Sequence, residues 1–217
     1  MSVRLAVFDC DGTLVDGQAS ICEAMDLGFA SAGLPPPDHH LVRRIVGLSL
    51  PQAIRILAPD AAASDQVQIV EGYKLAFRDS RTEGRLEEPL FDGIAELIVQ
   101  LRERGWLLAV ATGKSDRGLE SCLAGHGLID HFISLQTADR HPSKPNPAML
   151  EAAMADAAVL PQNTVMIGDT SFDMDMAAAV QVRAIGVDWG YHTPDELAAA
   201  GAQAVATSVK NLGELLG

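Results

Sequence analysis

Short apolar runs rich in β-branched residues alternate along this chain with longer stretches of helical period, and that alternation leaves few folds open. The runs are Val3–Phe8, Trp106–Ala111, Phe132–Gln136, Thr164–Ile167, Ala184–Val187 and Ala202–Ala206. Most are apolar on both faces, as strands of a parallel sheet covered on both sides must be. Between them, "DGIAELIVQLRERG" carries helix periodicity with a glycine stop, and "PDELAAAG" opens on proline and acids. The pattern predicts an α/β fold: a Rossmann-like, doubly wound parallel sheet with right-handed crossovers.

One interval breaks the rhythm. From about Gly17 to Glu88 no strand pattern occurs, only amphipathic helical segments such as "SICEAMDLGFASAG", "HLVRRIVG" and "SDQVQIVEGYKLAFRD". An insert of roughly 70 residues is too long for a loop. It predicts a small separate α-helical unit over residues 17–88, carried by a core of residues 1–16 and 89–217. The two chain crossings, near Asp16–Gly17 and Gly84–Pro89, would hinge it.

Composition narrows the partners. Of 217 residues, 48% are hydrophobic and 21% charged, enough for a sizeable core. A formal net charge of −13 opposes nucleic acid and anionic membranes, so the expected partner is a small molecule. Cys10, Cys22 and Cys122 cannot all pair and form no CxxC, which fits free thiols in a reducing compartment. The N-terminus runs straight into a strand without an apolar leader, and the apolar runs are short of a membrane span. A cytoplasmic location is the expectation; oligomeric state is left open.

Four polar clusters lie at or near strand ends, where open parallel sheets bind ligands. They are "DCDGT" (Asp9 to Thr13), "ATGKSD" (Thr112, Gly113, Lys114), "PSKPNP" (Lys144) and "IGDTSFDMDMA" (Asp169, Asp173). Paired aspartates before a glycine also open a calcium loop, but Leu14 stands at its sixth position and Ser20 at its twelfth, where glycine and glutamate are required. Lysine is scarce in this chain, and Lys144 lies between Pro142 and Pro145, which favours a positioned charge. Lys114 reads as a surface or supporting lysine, and Asp175 as a solvated helix charge. No histidine has ligand spacing.

In order and spacing the four clusters resemble the motifs of the haloacid dehalogenase superfamily of phosphotransferases, along nearly the whole chain. "TADRHPSKPNP" and "IGVDWGYHTPDEL" are similar to its phosphoglycolate-phosphatase-like branch, and the helical insert to the family's cap at that point. The resemblance implies a Mg²⁺-dependent phosphatase acting on a small phosphorylated metabolite through an aspartyl-phosphate. Asp9 would be the nucleophile and Asp11 the general acid and base. Thr112, Gly113 and Lys144 would bind the phosphoryl group. Asp9, Asp169 and the backbone carbonyl of Asp11 would hold Mg²⁺, with Asp173 supporting. The carboxylate two residues before Asp11 would raise its pKa, as a general acid requires.

Within the family, Asp11 argues against a dehalogenase, and Leu50 stands where sugar phosphomutases tend to carry arginine. Phosphomutase and pyrophosphatase remain alternatives, as does a phosphate-responsive binding module without turnover. Two departures stand out. Gly17 replaces the usual Ser or Thr at the start of the insert, and Gln181 replaces a glycine at a helix end that wants left-handed backbone.

Overall fold

The computed structural model describes residues 3–217; residues 1 and 2, part of the expected core segment 1–16, lie outside the described residues. The chain runs β1 (Arg4–Phe8), α1 (Gln18–Ser31), α2 (His39–Arg44), α3 (Leu50–Leu57), α4 (Ala63–Thr82) and α5 (Ile94–Glu103). It continues β2 (Trp106–Thr112), α6 (Asp116–Gly125), β3 (Ser134–Thr137), α7 (Ala148–Ala157), β4 (Thr164–Gly168) and α8 (Ser171–Ala179). The last elements are β5 (Arg183–Val187), α9 (Pro194–Ala199), β6 (Ala204–Ala206) and α10 (Val209–Leu216).

All six strands lie in one sheet of order β3-β2-β1-β4-β5-β6, and every neighbouring pair is parallel. This is the doubly wound order the sequence pattern predicts, and it reverses direction between β1 and β4. The period-two alternation of each strand divides the core into two layers. Ala6, Phe8, Leu108 and Val110 face α5, α6 and α10, while Leu5, Val7, Ala109 and Ala111 face α7 and α8. Both layers are dry, so the strands read as near-continuous apolar runs. The three cysteines are buried free thiols.

The strand-free interval folds as four helices rather than the three segments singled out from its periodicity. α3 is the added one, opening at Ser49 with Pro51 in its first turn. The insert has its own apolar cluster around Ile21, Met25, Phe29, Val42, Ile54 and Ile69. Its two ends are held side by side: the Asp16 N–H donates to the Pro89 carbonyl at 2.8 Å, and Val15 bridges Leu90 antiparallel. Among the described residues, no helix is long and apolar enough to cross a membrane.

Candidate active site

The switch point between β1 and β4 puts two aspartates side by side at the carboxyl end of the sheet. Asp9 follows β1 directly, and Asp169 follows Gly168, the last residue of β4. Both are fully buried. Gly12 makes this proximity possible: its φ is +81°, and a Cβ there would fall 2.2 Å from Asp169 Oδ2. Asp169 is fixed by the Thr13 hydroxyl, which donates to Oδ1 at 2.7 Å, and by the Tyr191 N–H, which donates to Oδ2 at 3.0 Å.

Lys144 reaches into the same place, 3.0 Å from Asp9 Oδ1 and 2.6 Å from Asp173 Oδ1, with no side-chain exposure. Asp173 is the third residue of α8 and closes a capping box with Thr170, whose hydroxyl donates to its Oδ2 at 2.7 Å. Asp9, Asp169 and Asp173 each offer a carboxylate oxygen within 4.8 Å of the others. Three carboxylates against one ammonium leave the pocket short of positive charge. Burial, the largest cause, and then the Asp173 charge push Asp9 up to about 7, while Lys144 pulls it down. Asp169 is held well above the ordinary carboxylate range by burial and by Asp9. Lys144 is raised, the two carboxylates outweighing its desolvation. One buried polar atom stands out: Asp9 Oδ2 has no hydrogen-bond partner.

Thr112 is buried at the end of β2 and accepts the Lys114 N–H at 3.3 Å. It does not cap the following helix; Ser115 does. Gly113 touches the insert, since a Cβ there would meet the carbonyl oxygens of Leu48 at 2.5 Å and Gly47 at 2.6 Å. Thus Asp9, Asp169, Asp173 and Lys144 form one cluster, with Thr112 and Gly113 on the neighbouring strand end.

Asp11 departs from expectation. β1 ends at Phe8, so Asp9 and Asp11 lie beyond the strand and its two-residue alternation does not set the direction of their side chains. The Asp11 carboxylate is gripped by the Lys114 ammonium, at 2.7 and 3.0 Å, and that ammonium also lies 2.7 Å from Glu88 Oε1. The Asp11 pKa is raised as expected, but by burial first; the carboxylate that adds to it is Glu88, not Asp9, and Lys114 lowers it. Of the two readings of Lys114, the supporting one is what the structure shows: its side chain is only 9% exposed and ion-paired twice, so it is not a surface lysine. Glu88 was missed altogether. It carries no motif signal, because its partners are distant in the chain.

Other assignments stand. Asp175 is exposed, and His192 is a satisfied histidine: its Nδ1 accepts the Ser171 N–H and its Nε2 faces the Arg44 carbonyl. Its pKa is lowered, chiefly by burial. His141 turns to Gln136 rather than to Lys144. Gln181 does adopt left-handed backbone, with φ 57°. Above the site a cavity of about 700 Å³ lies between insert and core. Apolar Met25, Val46 and Phe77 line it, with Arg78 and Arg81 of α4 and with Lys114.

Doubly wound α/β enzymes bind their ligands in the crevice at the switch point, where the buried aspartates of this chain lie. Residues 6–187 match the family described as haloacid dehalogenase-like hydrolase, and the chain belongs to that family. The chain is 34% identical to "Probable phosphatase IndB" of Dickeya dadantii, over 98% of this chain and 92% of that protein. It is 32% identical to tyrosine-protein kinase PtkA of Mycobacterium tuberculosis, over 100% of this chain and 73% of that protein. A solved hydrolase from Pseudomonas syringae shares the fold with a TM-score of 0.87 at 22% identity, covering 99% of this chain and 98% of that one.

Proposed function

We propose that this hydrolase is a Mg²⁺-dependent phosphatase that acts on a small phosphate monoester through an aspartyl-phosphate at Asp9. The observation that carries the reading is Asp9 Oδ2, a fully buried carboxylate oxygen without a hydrogen-bond partner, beside an Asp169 and an Asp173 whose oxygens are held by Thr13, Tyr191, Thr170 and Lys144. Its free lone pairs are what a nucleophile needs.

The same orphaned oxygen and the surplus of carboxylate over ammonium fit a hard divalent cation. Asp9, Asp169 and the Asp11 backbone carbonyl would hold Mg²⁺, with Asp173 behind them. When bound, Mg²⁺ supplies positive charge beside the phosphoryl oxygens.

The chain's own residues do the rest. Asp9 attacks phosphorus, while the Lys144 ammonium, the Thr112 hydroxyl and the Gly113 N–H stabilise the charge on the equatorial oxygens. Asp11 gives its proton to the leaving oxygen, then takes one from the water that hydrolyses the acyl-phosphate. The helical insert, residues 17–88, acts as a cap that excludes bulk water while the ester is cleaved.

A panel of phosphate esters, with phosphoglycolate, sugar phosphates, nucleotides and pyrophosphate among them, run with and without EDTA, tests this directly. Mg²⁺-dependent phosphate release that EDTA abolishes is the expected result. A stable phospho-protein without turnover would instead make the chain a phosphate-responsive switch. A parallel arm with ATP and a tyrosine peptide addresses the likeness to PtkA: phosphate transfer to the peptide in place of water would overturn the hydrolytic reading.

A further inference from the structure

The Asp11–Lys114–Glu88 cluster lies outside the Asp9 pocket, and the mechanism above uses only its first member. All three side chains are nearly buried, with exposures of 11%, 9% and 7%. Desolvating three ionic groups is costly, and replacing such a cluster with apolar residues is often neutral or stabilising. A structural need alone therefore accounts poorly for it.

Three segments converge on the Asp11 carboxyl. Lys114 comes from the loop after β2, and Glu88 sits where the chain returns from the insert, its carbonyl facing His126 Nε2 at 2.8 Å. Gly17 sits where the chain leaves for the insert, and a Cβ there would lie 3.0 Å from Asp11 Oδ1 and 3.9 Å from Glu88 Oε1. A serine or threonine at 17 would crowd the carboxyl, so the unusual glycine leaves it room. Among the described residues, Lys114 is the one hydrogen-bond partner of the Asp11 carboxylate.

We propose that Lys114, shared with Glu88, is the residue that positions the Asp11 carboxyl for proton transfer to the leaving group. It acts through Asp11 and is a positioning residue; the proposal rests on the phosphatase reading. Glu88 has a definite part in it. Its Oε1 lies 2.7 Å from the same ammonium, so Lys114 is held from a second side while it holds Asp11.

Two esters with one phosphoryl group separate this role from phosphate binding. Phenyl phosphate has the more basic leaving group and depends on the acid, whereas p-nitrophenyl phosphate depends on it less. We expect Lys114→Met to lower kcat/KM on phenyl phosphate about 100-fold and on p-nitrophenyl phosphate about tenfold or less. Glu88→Gln should widen the ratio between the esters in the same direction by a smaller factor, and Lys114→Arg should restore part of it. Equal losses on both esters in Lys114→Met would make Lys114 a phosphate ligand or a purely structural group and overturn the proposal. An unchanged ratio in Glu88→Gln would overturn it as well, and that variant decides alone if Lys114→Met fails to fold by circular dichroism. Asp9→Asn keeps the two levels apart: activity surviving in it would sink the phosphatase mechanism itself, whereas a dead Asp9→Asn beside equal losses in Lys114→Met would sink only the assignment of Lys114.

Discussion

Asp9 is stabilised for chemistry at the expense of the fold that carries it. A buried carboxyl pushed up to about 7 is destabilising wherever it must ionise. Because its folded pKa lies above the unfolded value of 3.8, its favourable contribution is whole below that value and is lost as pH rises through about 7. In EDTA at pH 8, Asp9→Asn should therefore melt higher than the native chain, by about 2–4 °C for each kcal/mol of ionisation cost it removes in a domain of this size. It should also lose at least about a thousandfold in turnover, as removal of a nucleophile does. Mg²⁺ should raise the melting temperature of the native chain more than that of the variant. A variant that melts lower in EDTA would contradict the charge balance read from the pocket. The "DCDGT", "GDTSFD" and Lys144 clusters are legible in the sequence because each sits beside a strand end or between prolines. Lys114 and Glu88 are not. A single lysine after a strand is indistinguishable from a solvated one until the fold brings Asp11 and Glu88 to it.

The strands were legible to within one residue at most of their ends, since apolar runs of four to six residues with β-branched content have few alternatives in this context. The exceptions are β3 and β6, which start two residues later than Phe132 and Ala202. There the start of each run makes a single backbone bond to the neighbouring strand, Ile133 N–H to the Leu108 carbonyl and Gln203 N–H to that of Ala184, before the regular ladder begins. α3 escaped because Pro51 stands in its first turn, where proline reads as a break in a helical pattern. Helix ends show the finest detail. After α8 the Val182 N–H donates to the Ala177 carbonyl and the Gln181 N–H to that of Ala178, the bond pair of a Schellman motif. Its left-handed residue is Gln181, φ 57°, a conformation that costs a residue with a Cβ about 1–2 kcal/mol. Gln181→Gly removes that strain but adds freedom to the unfolded chain, worth about 0.4–1 kcal/mol. The net should be stabilising by up to about 1 kcal/mol, a rise of roughly 2–4 °C in melting temperature, with activity unchanged. Ala158, φ 52°, ends α7 with the same bonds, and Ala158→Gly should behave alike. No rise in either variant would mean that the surrounding packing already favours the left-handed turn.

At the scale of the molecule, insert and core are joined across the site by a small set of polar contacts, beside the packing of Phe172 on Ile45, Leu48 and Ala53. The Arg44 guanidinium grips both oxygens of Glu196, at 2.9 and 2.5 Å. The Arg44 carbonyl meets His192, and the Ser49 N–H donates to Ser143 Oγ at 2.8 Å. Glu196 is also the third residue of α9 and closes its capping box with Thr193, so the α9 N-terminus presents the acid at a set angle. Arg44, with these Thr193 bonds, holds its carboxyl down at about 2. The folded pKa lies below the unfolded value of 4.5, so the contribution of Glu196 is whole above 4.5 and drains away as pH falls toward 2. If these contacts hold the cap down, Arg44→Met and Glu196→Gln should each speed amide exchange in α2 and α3 at neutral pH while sparing the sheet. Because both variants break one pair, the double variant should exchange little faster than either alone. The difference in melting temperature between the native chain and Glu196→Gln should hold constant from neutral pH to 4.5 and narrow below it. Additive effects on exchange, or a difference that does not narrow, would show that the cap is held elsewhere, with Ser49 and His192 the next contacts to cut.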